Sequence, residues 1–393
     1  MSPIIHKWRA HGNKLTLQWR DKTFSKFSFA WLLDHQKPNW HPSTNQKIKP
    51  ASSLGNDFLD PYNSVDSLAV IDDEKGKTLR VHWAGGLPAT EISLAQLRSH
   101  SGLHSRYGLP HRKPWKQLPQ LPQSSFKDDH NASLKKVLYD LAIYGVHLVT
   151  DMPQTAKETE EFIRSRLGPP RETFYGGMWD TAPRKENVND TAYTYDALDP
   201  HTDTCYLIDS PGLQCFNCVA QDPGVGGKTR LVDSETVVNI LRADHPATFK
   251  FFTDTSLVFH HTEKGLNARV CAPVITVEPD GSLKQFRYNE YDMAPLNYLS
   301  EHAIDEFYFH NEILHDTIRE CENPIKLRVG DMVIVDNHRV MHGRTAFQGY
   351  RNLVGCYVGA DDWIMRARAI AEHEEVAKIG QHEESTAAEW RDL

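Results

Sequence analysis

The sequence predicts a mainly β protein with helices, in which a double-stranded β-helix, or jelly roll, follows a small β-rich N-terminal domain. Three observations carry this reading. From Thr173 onward short apolar runs recur between turn-forming residues, among them Leu327–Asp336, Ala272–Val277 and the stretch around Cys215, as expected of a double-sheet arrangement of short strands. Residues 1–105 carry alternating runs such as Leu15–Trp19 and Thr78–Trp83, broken by Pro, Asn and Gly. Between the two, residues 106–128 are rich in proline and polar residues, including Pro114, Pro119, Pro122 and Ser125, which marks a linker and leaves 129–393 as the larger domain. Within that domain, Leu134, Val137, Leu138, Leu141 and Ala142 stand at helical spacing over 132–144. A second helix is expected over 155–167 and a helical insert over 303–319; no internal repeat is evident.

Composition narrows the function classes. With 393 residues, 39% hydrophobic and 24% charged, the chain can bury a large core and has no signature of disorder. Its net charge of −8, without any Lys/Arg-rich block, argues against nucleic acid or an anionic membrane as partner. No apolar run approaches the roughly 20 residues needed to span a bilayer. All 6 cysteines lie in the second half of the chain, several in apolar runs, and read as buried free thiols suited to a reducing compartment. Cys215-x-x-Cys218 has no second pair to complete a zinc site. The N-terminus has no acid before Asp21, yet Leu15–Trp19 already alternates like a strand, so no removable signal is read and the expected placement is cytoplasmic, with a mitochondrial one open.

The chemistry centres on His201-Thr202-Asp203 and, far downstream, His342 in Asp336-Asn337-His338-Arg339-Val340-Met341-His342-Gly343-Arg344. Two imidazoles and one carboxylate holding iron leave three octahedral positions open, which is what a non-haem Fe(II) oxygenase needs for a bidentate co-substrate and O₂. Among 21 histidines and 52 acidic residues a bare His-x-Asp arises readily by chance, so its surroundings matter. Nine residues after His342, Arg351 stands in an apolar and aromatic run that reads as a buried strand, where a guanidinium needs an anion. That anion is either a structural Asp or Glu, or the distal carboxylate of 2-oxoglutarate, which a guanidinium grips with two hydrogen bonds.

Aromatic residues crowd the same segments. Tyr175, Trp179 and Tyr193 precede the His-x-Asp motif, and Tyr357 follows Arg351 by an even offset, so both face one side of a strand. Such rings either belong to the core or wall a box for a quaternary ammonium, whose weakly hydrated charge is attracted to ring faces.

These stretches resemble the trimethyllysine and γ-butyrobetaine dioxygenases of carnitine biosynthesis, Fe(II)- and 2-oxoglutarate-dependent hydroxylases, from about Leu134 to Ile370. Thr173–Trp179, Asp190–Thr194, Ala197–Thr204 and His342–Arg351 look like the trimethyllysine branch. The resemblance implies a jelly-roll catalytic domain, His201, Asp203 and His342 as iron ligands, and Arg351 with Thr229 as the 2-oxoglutarate grip. It implies Tyr175, Trp179, Tyr193 and Tyr357 as a cage for the trimethylammonium head, with Asp190 and Asn289 near the substrate. Cofactors implied are Fe(II), 2-oxoglutarate and ascorbate, which keeps the iron ferrous. The implied partners are a small quaternary ammonium substrate and O₂, with homodimerisation. An extra carboxylate in the pocket suits trimethyllysine, whose α-ammonium γ-butyrobetaine lacks; whether Asp190 or Glu290 supplies it stays open. The alternative is hydroxylation of γ-butyrobetaine or of another quaternary ammonium compound. One departure is plain. Where the family often has zinc-binding cysteines after a Trp-Leu-Arg-Asp segment, this chain has Trp31-Leu32-Leu33-Asp34 and only His35 and His41 beyond it, so no zinc is expected there. Of two rivals from other classes, a trimethyllysine-binding protein with a vestigial metal site has no use for Arg351 beside a complete ligand triad, and a cupin-like zinc isomerase or hydrolase would not consume O₂.

Overall fold

A computed structural model describes residues 4–20, 22–44, 46–54, 65–73, 76–84, 87–99, 109–182, 193–224, 226–263 and 265–380. The chain divides into two compact units, Met1–Gly108 with Glu372–Leu393, and Leu109–Ala371.

The first unit is built on two three-stranded antiparallel sheets. One comprises β1 (Ile5–His11), β2 (Lys14–Trp19) and β3 (Phe24–Ser28), followed by the short helix α1 (Phe29–Asp34). The other comprises β4 (Val65–Asp73), β5 (Gly76–Trp83) and β6 (Thr90–Ser93), followed by α2 (Leu94–Ser99). The period-2 alternation explains the core: Leu15, Leu17 and Trp19 of β2 and Leu79 and Val81 of β5 are buried together with Leu32 and Leu97. His35 stacks on Trp31 with ring centroids 4.1 Å apart, and His41 Nδ1 accepts the Ser43 and Thr44 amides.

The second unit runs, in order, through β7 (Gln123–Ser125), α3 (His130–Tyr144), β8 (Val146–Thr150), α4 (Ala156–Arg166), β9 (Trp179–Asp180), β10 (Leu198–His201), β11 (Leu213–Gln221) and β12 (Thr229–Asp233). It continues with α5 (Ser234–Asp244), α6 (Pro246–Asp254), β13 (Ser256–Glu263), β14 (Leu266–Pro273), β15 (Ile275–Val277), β16 (Leu283–Phe286) and α7 (Glu301–Glu320). It closes with β17 (Asn323–Ile325), β18 (Met332–Asp336), β19 (Val340–Arg344), β20 (Arg351–Val358) and α8 (Ala360–Gly380). A six-stranded sheet has the order β7-β8-β18-β11-β20-β9 and a four-stranded sheet the order β10-β19-β12-β17. Phe216, Val333, Val335 and Leu353 of the larger sheet meet Leu231 and Val340 of the smaller in one core, so the two sheets form the jelly roll that the sequence predicts. The outer face of the larger sheet, with Cys215, Ile334 and Cys356, is covered by Val137, Leu138 and Leu141 of α3, Phe162 and Ile163 of α4, and Trp363 of α8. Cys215 and Cys218 thus point to opposite faces of β11, which separates the pair. Of the free thiols only Cys271 is exposed.

Local chemistry sets the boundaries. Asp129 caps α3 by accepting the Asn131 and Ala132 amides, and Gly145 ends it at φ 73°. The run Leu327–Asp336 forms a strand only from Met332, because Gly330 takes φ 88° and Asp331 accepts the Arg328 amide in a turn. Ala272–Val277 is divided between β14, which ends at Pro273, and β15. Residues 109–122, proline-rich and without regular secondary structure, are nonetheless anchored. The Trp115 amide donates to Asp233 Oδ2 at 3.0 Å and its indole to Tyr144 O at 2.8 Å. Asp233 in turn forms a fully buried two-bond pair with Arg339, at 2.9 and 2.8 Å.

Candidate metal centre and substrate pocket

His201 ends β10 and His342 lies in the middle of β19; the two are directly opposed across the antiparallel pair, which places their rings 4.6 Å apart. Asp203 follows two residues after His201, where the chain turns away from the sheet. Its Oδ1 lies 3.2 Å from His201 Nε2 and 3.5 Å from His342 Nε2. Among the described residues this is the one group of three or more metal-capable side chains whose ligand atoms all lie within 4.8 Å of one another.

The turn is held from several sides. Thr204, a β-branched residue, sits at φ 55°, a left-handed conformation that side chains of its kind rarely adopt. Asn337 fixes it by accepting the Asp203 amide at 2.8 Å and donating to the Asp203 carbonyl at 3.1 Å. Arg287 donates to the Cys205 and Leu207 carbonyls at 2.6 and 2.8 Å, which fixes the chain beyond.

The donors suit a divalent transition metal. His201 Nδ1 donates to the Asp199 carbonyl at 2.7 Å, which leaves the Nε2 lone pair facing Asp203. Burial pushes the Asp203 carboxyl up, but His342 and His201 beside it outweigh this and hold it well below the usual carboxylate range. Burial lowers His342, whereas for His201 the hydrogen bond and charge of Asp203 outweigh burial and raise it. A carboxylate fixed in its ionised form with two imidazole Nε2 atoms is the two-histidine, one-carboxylate donor set that iron takes, and the residues fit the metal.

Arg351 begins β20 and is buried, with only 5% of its surface exposed. Among the described residues its guanidinium has no carboxylate partner, its Nε is unpaired, and burial lowers its pKa. Among the described residues, then, no structural ion pair accounts for it. Its guanidinium lies 5.9 Å from the Phe347 ring centre. A Cβ built on Gly227 would come 3.5 Å from Arg351 Cδ, which brings the chain leading into Thr229 alongside it. Thr229 is buried at the start of β12.

The rings gather on the Asp203 side of the triad. Trp179 and Tyr357 lie 5.7 Å apart. Tyr175 and Tyr206 are joined through their hydroxyls at 3.0 Å, and both lie close enough to Tyr357 to raise its pKa, after the larger effects of burial and of Asp203. Gly355 on β20 opposes Trp179, and a methyl there would overlap the indole and the Cys215 carbonyl. Tyr357 also donates its hydroxyl to Asp203 Oδ2 at 2.7 Å, so it is more than a wall of the pocket. Tyr193 is half-buried one residue before Thr194, whose carbonyl accepts from Arg344 at 2.7 Å. Asn289 uses its amide to cap a local turn, donating to Asp292 at 2.8 Å and accepting the Tyr291 amide at 3.1 Å. Asp190 lies outside the described residues. Glu290 accepts from Tyr288 at 3.0 Å and from Asn311, at an exposed position.

Sequence reasoning missed Tyr206, Gln214, Asn337 and Arg287. Tyr206 stands three residues after Asp203, and its proximity to the motif was the available signal. The other three act through strand register and loop geometry, which one sequence does not display.

The fold and this centre define a non-haem iron, 2-oxoglutarate-dependent dioxygenase. Residues 112–357 match the family described as Taurine catabolism dioxygenase TauD, TfdA family. The chain is 32% identical to trimethyllysine dioxygenase, mitochondrial, of Gallus gallus, over 92% of this chain and 87% of that protein. It is 27% identical to trimethyllysine dioxygenase of Meyerozyma guilliermondii, over 93% and 96%. It is 26% identical to gamma-butyrobetaine dioxygenase of a Pseudomonas strain, over 90% and 92%. A solved taurine dioxygenase structure from Burkholderia xenovorans is 13% identical, with TM-score 0.47, over 64% of this chain and 91% of that one. The chain belongs to the TauD/TfdA dioxygenases and, within them, to the trimethyllysine and γ-butyrobetaine dioxygenase family. Among the described residues no helix is long and apolar enough to cross a membrane.

Proposed function

We propose that this chain hydroxylates C3 of N6,N6,N6-trimethyllysine, the first step of carnitine biosynthesis, with His201, Asp203 and His342 holding Fe(II). The observation that carries the reading is the aromatic cluster of Tyr175, Trp179, Tyr206 and Tyr357 beside the triad. Ring faces favour a trimethylammonium group, and the likeness to trimethyllysine dioxygenases over nearly the whole chain supports the choice among such cations. Bound there, Fe(II) with 2-oxoglutarate supplies oxidation by O₂, in which the keto acid becomes succinate and CO₂ while one oxygen atom enters the substrate C–H bond. The protein's own work is positioning. Arg351, with Thr229, grips the distal carboxylate, and the rings fix the cationic end of the substrate so that C3 rather than an N-methyl faces the metal. Tyr193, Asn289 and Asp190 belong to the same proposal as substrate neighbours.

An anaerobic titration tests this reading. Adding 2-oxoglutarate to the Fe(II)-loaded protein is expected to produce a charge-transfer absorption band, and trimethyllysine, but not lysine, is expected to shift it. A protein that merely stores trimethyllysine gives no band. Homodimerisation is part of the proposal and is checked by light scattering. Cytoplasmic placement is retained as a proposal beside the mitochondrial location named for the vertebrate relatives, and subcellular fractionation decides between them.

A further inference from the structure

Asp203 divides its two oxygens between separate neighbours. Oδ1 faces both imidazoles, at 3.2 and 3.5 Å. Oδ2 accepts from the Tyr357 hydroxyl at 2.7 Å and from Gln214 Nε2. Gln214 and Tyr357 are directly opposed on the adjacent strands β11 and β20. The larger sheet therefore presents two donors at one point, while both imidazoles come from the smaller sheet.

Gln214 is a poor choice for a core position. It is 4% exposed, and its Oε1 has no hydrogen-bond partner. A buried amide left half unsatisfied is unfavourable, so its presence needs a reason, and its one described side-chain bond goes to Asp203. Tyr357 has a different double attachment: its ring packs with Trp179 in the aromatic cluster while its hydroxyl holds the carboxylate.

We infer that Gln214 and Tyr357 are positioning residues that occupy Asp203 Oδ2 and leave Oδ1 as its single metal-ligating oxygen, and that Tyr357 links occupation of the aromatic pocket to metal binding. The second half of this rests on the pocket reading proposed above. A quaternary ammonium compound resting on the Tyr357 ring biases where its hydroxyl stands, and so biases Asp203. Coupling of this kind is reciprocal, so a bound cation changes metal affinity by the same factor by which the metal changes cation affinity.

The test uses the full chain with Mn(II) as probe, titrated by calorimetry with and without trimethyllysine, for the parent, Tyr357→Phe and Gln214→Leu. Both variants are expected to bind Mn(II) about 10- to 100-fold more weakly, as is typical when a ligand's own support is removed. Thermal unfolding without metal checks that neither is misfolded, and the two variants lie on different strands, so each stands as a control for the other. In the parent, trimethyllysine is expected to change Mn(II) affinity by about fivefold or more. Tyr357→Phe, which keeps the ring, is expected to bind trimethyllysine yet lose that dependence. Unchanged Mn(II) affinity in both variants overturns the clamp. A parent that binds trimethyllysine without any change in Mn(II) affinity overturns the coupling alone. A parent that does not bind trimethyllysine overturns the coupling together with the pocket reading, while the Mn(II) affinity of Gln214→Leu still decides the clamp.

Discussion

Replacing Arg351 by methionine has two effects of opposite sign, and that opposition separates a ligand-binding role from a structural one. The guanidinium is buried without a carboxylate partner among the described residues, so the fold carries its desolvation uncompensated. The Phe347 ring, 5.9 Å from it, returns only about 0.5–1 kcal/mol. Removing an unpaired buried cation while keeping an apolar side chain of similar length is therefore expected to stabilise the unliganded protein by about 1–3 kcal/mol. At about 1–2 °C per kcal/mol for a protein of this size, this raises Tm by a few degrees at most. The same change leaves the 2-oxoglutarate carboxylate without its partner, which costs about 2–5 kcal/mol and weakens binding from about 30-fold to a few thousandfold. The parent should gain about 2.7 kcal/mol in 2-oxoglutarate at 100 times its Kd, and Arg351→Met should gain little at that concentration. Thermal melts with and without 2-oxoglutarate, alongside equilibrium binding, measure both effects. A variant that melts below the parent without 2-oxoglutarate and binds it with unchanged affinity would refute the assignment and make Arg351 a structural residue.

Other predictions follow from the same geometry. Asp203→Ala removes the carboxylate that both imidazoles face, so Mn(II) binding measured by calorimetry is expected to fall below detection while the fold survives. Gly355→Ala pushes a methyl into the Trp179 indole and the Cys215 carbonyl, and is expected to cost about 1–3 kcal/mol in a denaturant melt as well as weaken trimethyllysine binding. Asp233→Ala removes both short carboxylate hydrogen bonds of the fully buried Arg339, leaving it Glu235 at 3.5 Å, and is expected to cost about 3–5 kcal/mol by urea unfolding. His147 is buried, with Nε2 2.9 Å from Ser124 Oγ and Nδ1 2.9 Å from Asp140 Oδ2, which Lys136 also meets at 2.9 Å. Burial pushes its pKa below the usual value despite Asp140. The unfolded chain then takes up a proton near about pH 6.5 that the folded chain does not, so stability falls as pH drops through that value toward the depressed one. In His147→Gln, urea melts should show lower stability at pH 8 and a shallower decline between pH 7 and 5.

What the sequence disclosed follows from the physics of each signal. Period-2 alternation showed β2 and β5, because one side of each strand is buried, whereas β20, buried on both sides, was legible as an apolar run in which Arg351 and Tyr357 share a face by even offset. The candidate iron ligands were legible as residue types, since few combinations of imidazole and carboxylate suit that chemistry. That His201 and His342 are cross-strand neighbours was not, because 140 intervening residues carry no register information. Residues 106–128 were read as a linker because proline content reports absent secondary structure; that Trp115 and Arg112 within them meet Asp233 and Glu235, far away in sequence, left no local signal. The hydroxyl of Tyr357 escaped notice because an aromatic near a cation site suggests its ring first. That the Asn289 amide also caps a local turn was likewise not legible, because the cap depends on the backbone conformation at 289–292.

The most direct test is product analysis with purified protein, Fe(II), ascorbate and 2-oxoglutarate under air, with trimethyllysine and γ-butyrobetaine in separate reactions followed by mass spectrometry. The account predicts a gain of one oxygen atom at C3 of trimethyllysine, matched by an equal amount of succinate. Oxygen gained by γ-butyrobetaine alone, or succinate formed without an oxidised amine in either reaction, would contradict it.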